Sequence, residues 1–188
     1  MALLSHEIGV HLLTYFNGDS QGLAILRSGL AGYEGMQEGL AVLAEYLAGG
    51  MTAVRLRLIG ARVLACQAML DGADFTETFR VLQDDFGIDG HSAFNATLRV
   101  YRGGGFAKDA IYLRGVLQVL SHLSRGGSLT PFWIGKISAT HFGIVQELSL
   151  RGLLRAPRLE PAFLSSDPAR PRLKKAMAGM APIDMIAT

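Results

Sequence analysis

Apolar positions along this chain recur at helical rather than alternating spacing, in blocks divided by glycine. Ala2–Phe16 is an apolar block with His6, Glu7 and His11 embedded in it. Asn17–Gly35 reads as loop, opened by the turn signal Asn17-Gly18-Asp19-Ser20. Met36–Leu47 and Thr52–Leu70 read as helices divided by Gly49-Gly50. In the second, Val54, Leu58, Ala61 and Ala65 fall on one face, with Arg55 and Arg62 off it. Asp74 followed by Glu77 predicts a capped helix start. Gly87–Gly90 ends that helix and Ser92–Tyr101 forms the next. Gly103-Gly104-Gly105 breaks the chain before a helix over Lys108–Leu123, and Ser138–Leu150 is helical again. Alternation never persists beyond about four residues; Leu129–Ile134 is the best short-strand candidate. From Ala156 on, Pro157, Pro161, Pro168 and Pro171 mark an extended tail. The prediction is a mainly α protein, with a helical domain over 1–155 and a Pro-containing basic tail over 156–188.

Composition narrows the class. The 188 residues are 49% hydrophobic and 18% charged, which suits one domain with a sizeable core and excludes intrinsic disorder. No uninterrupted apolar stretch is long enough for a transmembrane helix. Glycine is in excess, at 23 residues. The net charge of +2 is too small to argue by itself for a nucleic-acid surface, although residues 151–188 carry seven Lys/Arg against three Asp/Glu. The single Cys66 excludes an intramolecular disulfide and fits a reducing cytoplasm. The N-terminus lacks the basic and apolar regions of a signal peptide.

His6-Glu7-Ile8-Gly9-Val10-His11 puts two imidazoles and a carboxylate in one apolar helix. A zinc hydrolase needs such donors on the metal and a carboxylate beside it to take a proton from water. The familiar spacing sets the histidines four apart, one helical turn. Here they stand five apart, which leaves the rings about 140° apart on an ideal α-helix. Two readings stay open. The pair is an accident of a core helix, or the helix widens locally into a π turn that brings residues five apart onto one face. Gly9 lowers the steric cost of that distortion.

Glu38, at the head of the apolar run Leu40–Ala44, is costly to bury unless paired or metal-bound. Its alternative role is a favourable charge at a helix N-terminus, about 0.3–1 kcal/mol. Glu34 and Glu45 compete with it as a third ligand.

Taken together, His6–His11 and Gln37-Glu38-Gly39-Leu40-Ala41 resemble the QEGLA-motif proteins, bacterial relatives of the microtubule-associated tyrosine carboxypeptidases of animals. The resemblance continues at Arg99-Val100-Tyr101-Arg102, Lys108-Asp109, Tyr112-Leu113 and Gly135-Lys136-Ile137, and covers most of the chain. It implies a multi-helix zincin-like catalytic domain of the gluzincin type, and a zinc metallopeptidase of carboxypeptidase type. By position, His6, His11 and Glu38 would hold zinc and Glu7 would be the general base. Dipeptidyl peptidase III is similar in its five-residue histidine spacing and downstream glutamate. The animal relatives act on tubulin; that substrate is not carried over to an Ala/Gly/Leu/Arg-rich chain that reads as bacterial. In the family the active helix follows a substantial upstream portion, whereas here it begins at residue 6. The expectation is therefore a domain lacking that portion, self-associating through the surface left exposed. The expected partner is a peptide or protein C-terminus, with no nucleic acid or membrane. Two alternatives stand: a non-catalytic metal-binding interaction or regulatory module, and a zinc hydrolase of a non-peptide amide.

Carboxypeptidase chemistry also needs an anchor for the terminal carboxylate and a donor for the oxyanion. Arg102 and Lys108 are the candidates for the first role, and Tyr112, facing the metal, for the second. The competing expectation is helix-end salt bridging by the cations and core packing by the tyrosine. A phosphate loop at Gly103–Gly105 is excluded, because Asp109 follows Lys108 where Ser or Thr is required. His91 is expected to start a helix, His122 and His141 to lie at the surface, and Cys66, Phe132 and Trp133 to be buried.

Overall fold

The computed structural model describes residues 2–102 and 108–186. Among these every regular element is helical, as the spacing of apolar positions predicts. None of the helices is long and apolar enough to cross a membrane. In chain order the α-helices are α1 (Ala2–His6), α2 (Leu13–Asp19), α3 (Ile25–Ser28), α4 (Tyr33–Leu47), α5 (Ala53–Leu70), α6 (Phe75–Arg80), α7 (Gly90–Tyr101), α8 (Ile111–Ser124), α9 (Phe142–Leu150) and α10 (Ala169–Met177). The chain parts into two compact units, one of residues 1–51 with 114–188 and the other of Thr52–Leu113.

In the first unit α4 is the central element. From Met36 to Leu47 nearly every residue is buried, including Leu40, Ala41, Val42, Leu43 and Ala44. So apolar a helix is stable only when covered on all sides. α1 and the π-helical segment Glu7–Leu12 pack against it, as does α10. The Arg172 guanidinium of α10 donates to the Leu47 carbonyl at 3.1 Å, closing the C-terminal end of α4. The Pro-containing tail over 156–186 therefore belongs to this unit and wraps onto it. Phe163, Ala169, Ala176 and Met185 are buried in it. The short strand expected at Leu129–Ile134 is instead a 3-10 turn over Thr130–Trp133. Pro131 holds a helical φ, and the Phe132 N–H bonds back to the Leu129 carbonyl, which leaves Phe132 and Trp133 in the core as expected. The loop expected over Asn17–Gly35 is also shorter, since it contains the end of α2, all of α3 and the start of α4.

The second unit is built on α5 and α7, joined by a core of Ala61, Ala65, Cys66, Leu82, Ile88, Ala93, Ala96 and Val100. Its helix starts follow the sequence signals. Thr52 accepts from the Arg55 N–H, Asp74 and Glu77 form the expected capping box, and Asp89 accepts from the Ser92 N–H. Burial pushes the Cys66 thiol above its ordinary pKa, which suits an inert core residue.

Candidate metal centre

The centre is built on the rod formed by α1, the π-helical segment and α2. Cap residues on either side of Glu7–Leu12 keep helical dihedrals, so the chain runs through the widened turn without a break. An α-helix would have splayed residues five apart; the π turn brings them together. The His6 and His11 rings lie 5.0 Å apart at a steep angle of 77°. A side chain at Gly9 would meet the Phe163 ring at 3.0 Å, so the widened turn passes close beneath the C-terminal segment.

α4 supplies the third group. A ring nitrogen from each histidine and a Glu38 carboxylate oxygen lie within 4.8 Å of one another, the only such group among the described residues. Glu38 Oε2 stands 3.7 Å from His6 Nε2 and 3.6 Å from His11 Nε2, too far for hydrogen bonds. It is buried and has no hydrogen-bond partner. Around a tetrahedral zinc with bonds of about 2.0–2.1 Å, ligand atoms sit about 3.3–3.4 Å apart. The two Glu38–imidazole separations are a few tenths of an ångström wider than that, and the orphaned oxygen is the one a cation would satisfy. The set therefore fits zinc by donor type, number and spacing. Glu7 reaches to within 3.9 Å of His6 Nε2 while its side chain stays 60% exposed, so water has access to its carboxylate.

The far sides of both rings are held. His6 Nδ1 is 2.7 Å from the buried Glu45 carboxylate, and His11 Nδ1 is 3.3 Å from Gln37 Oε1. Gln37 Oε1 also accepts from the Thr14 hydroxyl at 2.9 Å. These contacts suit a proton on each Nδ1 and turn each Nε2 toward Glu38. Burial opposes charging His6, but Glu38 and Glu45 outweigh it and raise the imidazole to about 9. Burial likewise favours the neutral acid at Glu38, but the His11 and His6 rings overcome it and lower the carboxyl to about 2. An added cation would replace the His6 proton between these groups.

Sequence reasoning weighed Glu45 only as a rival ligand, and gave Gln37 and Thr14 no part. Glu45 lies seven residues after Glu38, two turns along α4 and on the same face, which was its legible signal. Glu34 is exposed and outside the cluster. Glu45→Gln keeps the hydrogen bond to His6 but removes the charge. It is expected to weaken zinc binding about 10–100-fold, measured by competition with a chromogenic chelator.

The remaining predicted site residues belong to the second unit. Arg102 is exposed at the C-terminal cap of α7, and Lys108 is exposed at the start of a 3-10 turn. Tyr112 is half-buried, with the Arg62 guanidinium 5.0 Å from its ring centre. Arg99 donates to the buried Asp109 carboxylate at 2.8 Å. Gly103–Gly105 lie outside the described residues. His91 bonds Asn95 in the first turn of α7, His122 faces the Ser128 carbonyl, and the His141 ring accepts from the Ser138 N–H.

Helical architecture and a cluster of two histidines and a glutamate define the class as a helical protein with metal-ligand chemistry at its core. Over residues 1–181 the chain matches the family model of the microtubule-associated tyrosine carboxypeptidase, and it belongs to that family. The family's activity is that of a carboxypeptidase. No curated protein matches the chain.

Proposed function

We propose that this protein is a zinc-dependent peptidase of carboxypeptidase type, acting on the C-terminus of a peptide or protein. The supporting observation is the buried, unpartnered Glu38 oxygen facing two imidazoles across a π turn, in a chain of a carboxypeptidase family. His6, His11 and Glu38 would hold the ion. Zinc, when bound, supplies a Lewis acid for the scissile carbonyl and for the attacking water.

The chain's own residues do the rest. Glu45 and Gln37 fix the ring orientations and leave both Nε2 atoms unprotonated when the ion is held. Glu7, open to water, takes a proton from the attacking water as the new carbon–oxygen bond forms. It returns that proton to the amine nitrogen as the carbon–nitrogen bond breaks, which restores Glu7. The products are the shortened chain with a new carboxylate and the released amino acid.

The test combines metal analysis with peptide digestion. Purified protein is expected to hold one zinc per chain and to release the terminal residue from peptides with a free C-terminal carboxylate. C-terminally amidated versions should be cut much more slowly, read by mass spectrometry. Absence of stoichiometric zinc after incubation with the metal would overturn the metal assignment. Equal cleavage of free and amidated peptides would leave a zinc peptidase but remove the carboxypeptidase assignment.

A further inference from the structure

α4 and α8 meet backbone to backbone at glycines next to the point where Glu38 leaves the helix. A Cβ built on Gly39 would overlap the Gly115 carbonyl and come within 2.8 Å of the Val116 nitrogen. A Cβ on Gly115 would overlap the Gly35 carbonyl oxygen and stand 2.9 Å from the Gly39 nitrogen. The backbones of the two helices are thus in direct contact, with Gly35 and Gly39 one turn apart on α4 and Gly115 between them. Any side chain at Gly115 forces the helices apart, because the obstructing atoms are backbone and cannot rotate away.

Glu38 is the residue before Gly39, and its carboxylate projects toward His6 and His11 from this crossing. Its oxygen is only a few tenths of an ångström beyond the ligand spacing of a tetrahedral zinc. A shift of α4 by the width of a methyl group would exceed that margin. A glycine inside a helix costs up to about 1 kcal/mol relative to alanine. Both helices accept that cost at the one place where it sets the reach of a ligand.

We infer that the Gly35–Gly39–Gly115 crossing is a positioning device: it sets how far Glu38 extends toward the two histidines, and so determines metal affinity and coordination geometry. Gly115 acts through Glu38 and touches no substrate or metal. This rests on the metal reading above. It explains why a glycine follows the ligand glutamate, as local helix propensity does not.

The test compares the full chain with Gly115→Ala and with Gly135→Ala. Gly135 is a matched control: its added Cβ would meet the Leu26 carbonyl oxygen at 2.7 Å, another backbone collision in the same unit but one that does not involve α4. Zinc affinity is measured per folded molecule by chelator competition, and cobalt(II) is bound separately to read coordination from its visible d–d bands. Gly115→Ala is expected to weaken zinc about 10–100-fold and to lower the intensity of the cobalt bands, because tetrahedral geometry is lost. Gly135→Ala is expected to lose stability but keep both metal readouts. Should Gly115→Ala not fold, Glu38→Asp, which shortens the reach by one methylene without touching the crossing, should show the same affinity loss. Wild-type affinity and bands in folded Gly115→Ala, or in Glu38→Asp, would overturn the positioning role alone. A wild-type chain that binds neither metal would overturn the metal centre and this role together.

Discussion

Glu7→Gln is expected to bind zinc at wild-type stoichiometry while losing peptide hydrolysis by a factor of about 10²–10⁴, the usual worth of a positioned general base. The reason lies in how Glu7 and Glu38 differ in place. Glu38 turns a buried, unsatisfied oxygen toward the imidazoles, which is why the proposal counts it among the donors. Glu7 sits on the exposed side, 3.9 Å from His6 Nε2, where it meets water without displacing a ligand. The glutamine is isosteric and keeps a hydrogen-bonding oxygen but cannot accept the proton. Metal content by atomic absorption and kcat on a free-carboxylate peptide check the two halves separately. Loss of zinc in Glu7→Gln would make Glu7 a ligand; retained kcat would remove it from the proton transfer.

The second large effect is the dependence of metal binding on pH. In the metal-free fold His6 is raised from 6.5 to about 9 and Glu38 is lowered from 4.5 to about 2. A raised histidine contributes stability that is fully present below pH 6.5 and lost as pH rises through about 9. A depressed carboxyl contributes stability present above pH 4.5 and lost as pH falls through about 2. The metal-free centre is therefore held best by its own charges between those inner limits. Zinc must displace the His6 proton. Binding at pH 7.5 should release one proton from His6, and that release should disappear above about 9. Through His6 alone, apparent zinc affinity should rise about tenfold per pH unit up to that point. Calorimetry in buffers of different ionisation enthalpy reads the proton count directly. At a free zinc concentration 100 times Kd the fold should gain about 2.7 kcal/mol, seen as a higher Tm than in chelator. A pH-independent affinity between 6.5 and 9 would show that the metal displaces no proton from His6.

Much of the helical content was legible because it depends on local signals. Thr52 and Asp74 start helices where their side chains can accept from backbone N–H groups three residues on. The apolar run at Leu129–Ile134 misled in the other direction. Leu129–Ile134 is apolar and short enough for a strand, but proline's fixed φ and the back-bonded Phe132 N–H make it a turn. The Pro-containing segment after residue 156 looked extended because its prolines are local, while the contacts that fold it lie far away in sequence. Arg172 reaches Leu47, and Phe163 reaches Gly9.

The candidate ligands could be named from residue type and spacing, since two imidazoles, a carboxylate and a later motif glutamate carry their chemistry wherever they are placed. Spacing alone left open whether histidines five apart share a face. That depends on a π turn, which Gly9 permits, in a rod that packs against α4. Glu45, Gln37 and Thr14 became partners of the rings only when α4 lay along the rod, because each contact spans more than twenty residues of chain. The role of Gly115 was equally hidden, for it exists only where two helices cross. By itself the sequence determined the helical class, the helix caps and the donor chemistry, all of which arise within a few residues. Tertiary structure alone decided the convergence of those donors, the orientation of their rings and the reach of Glu38, because each depends on where separate helices pack.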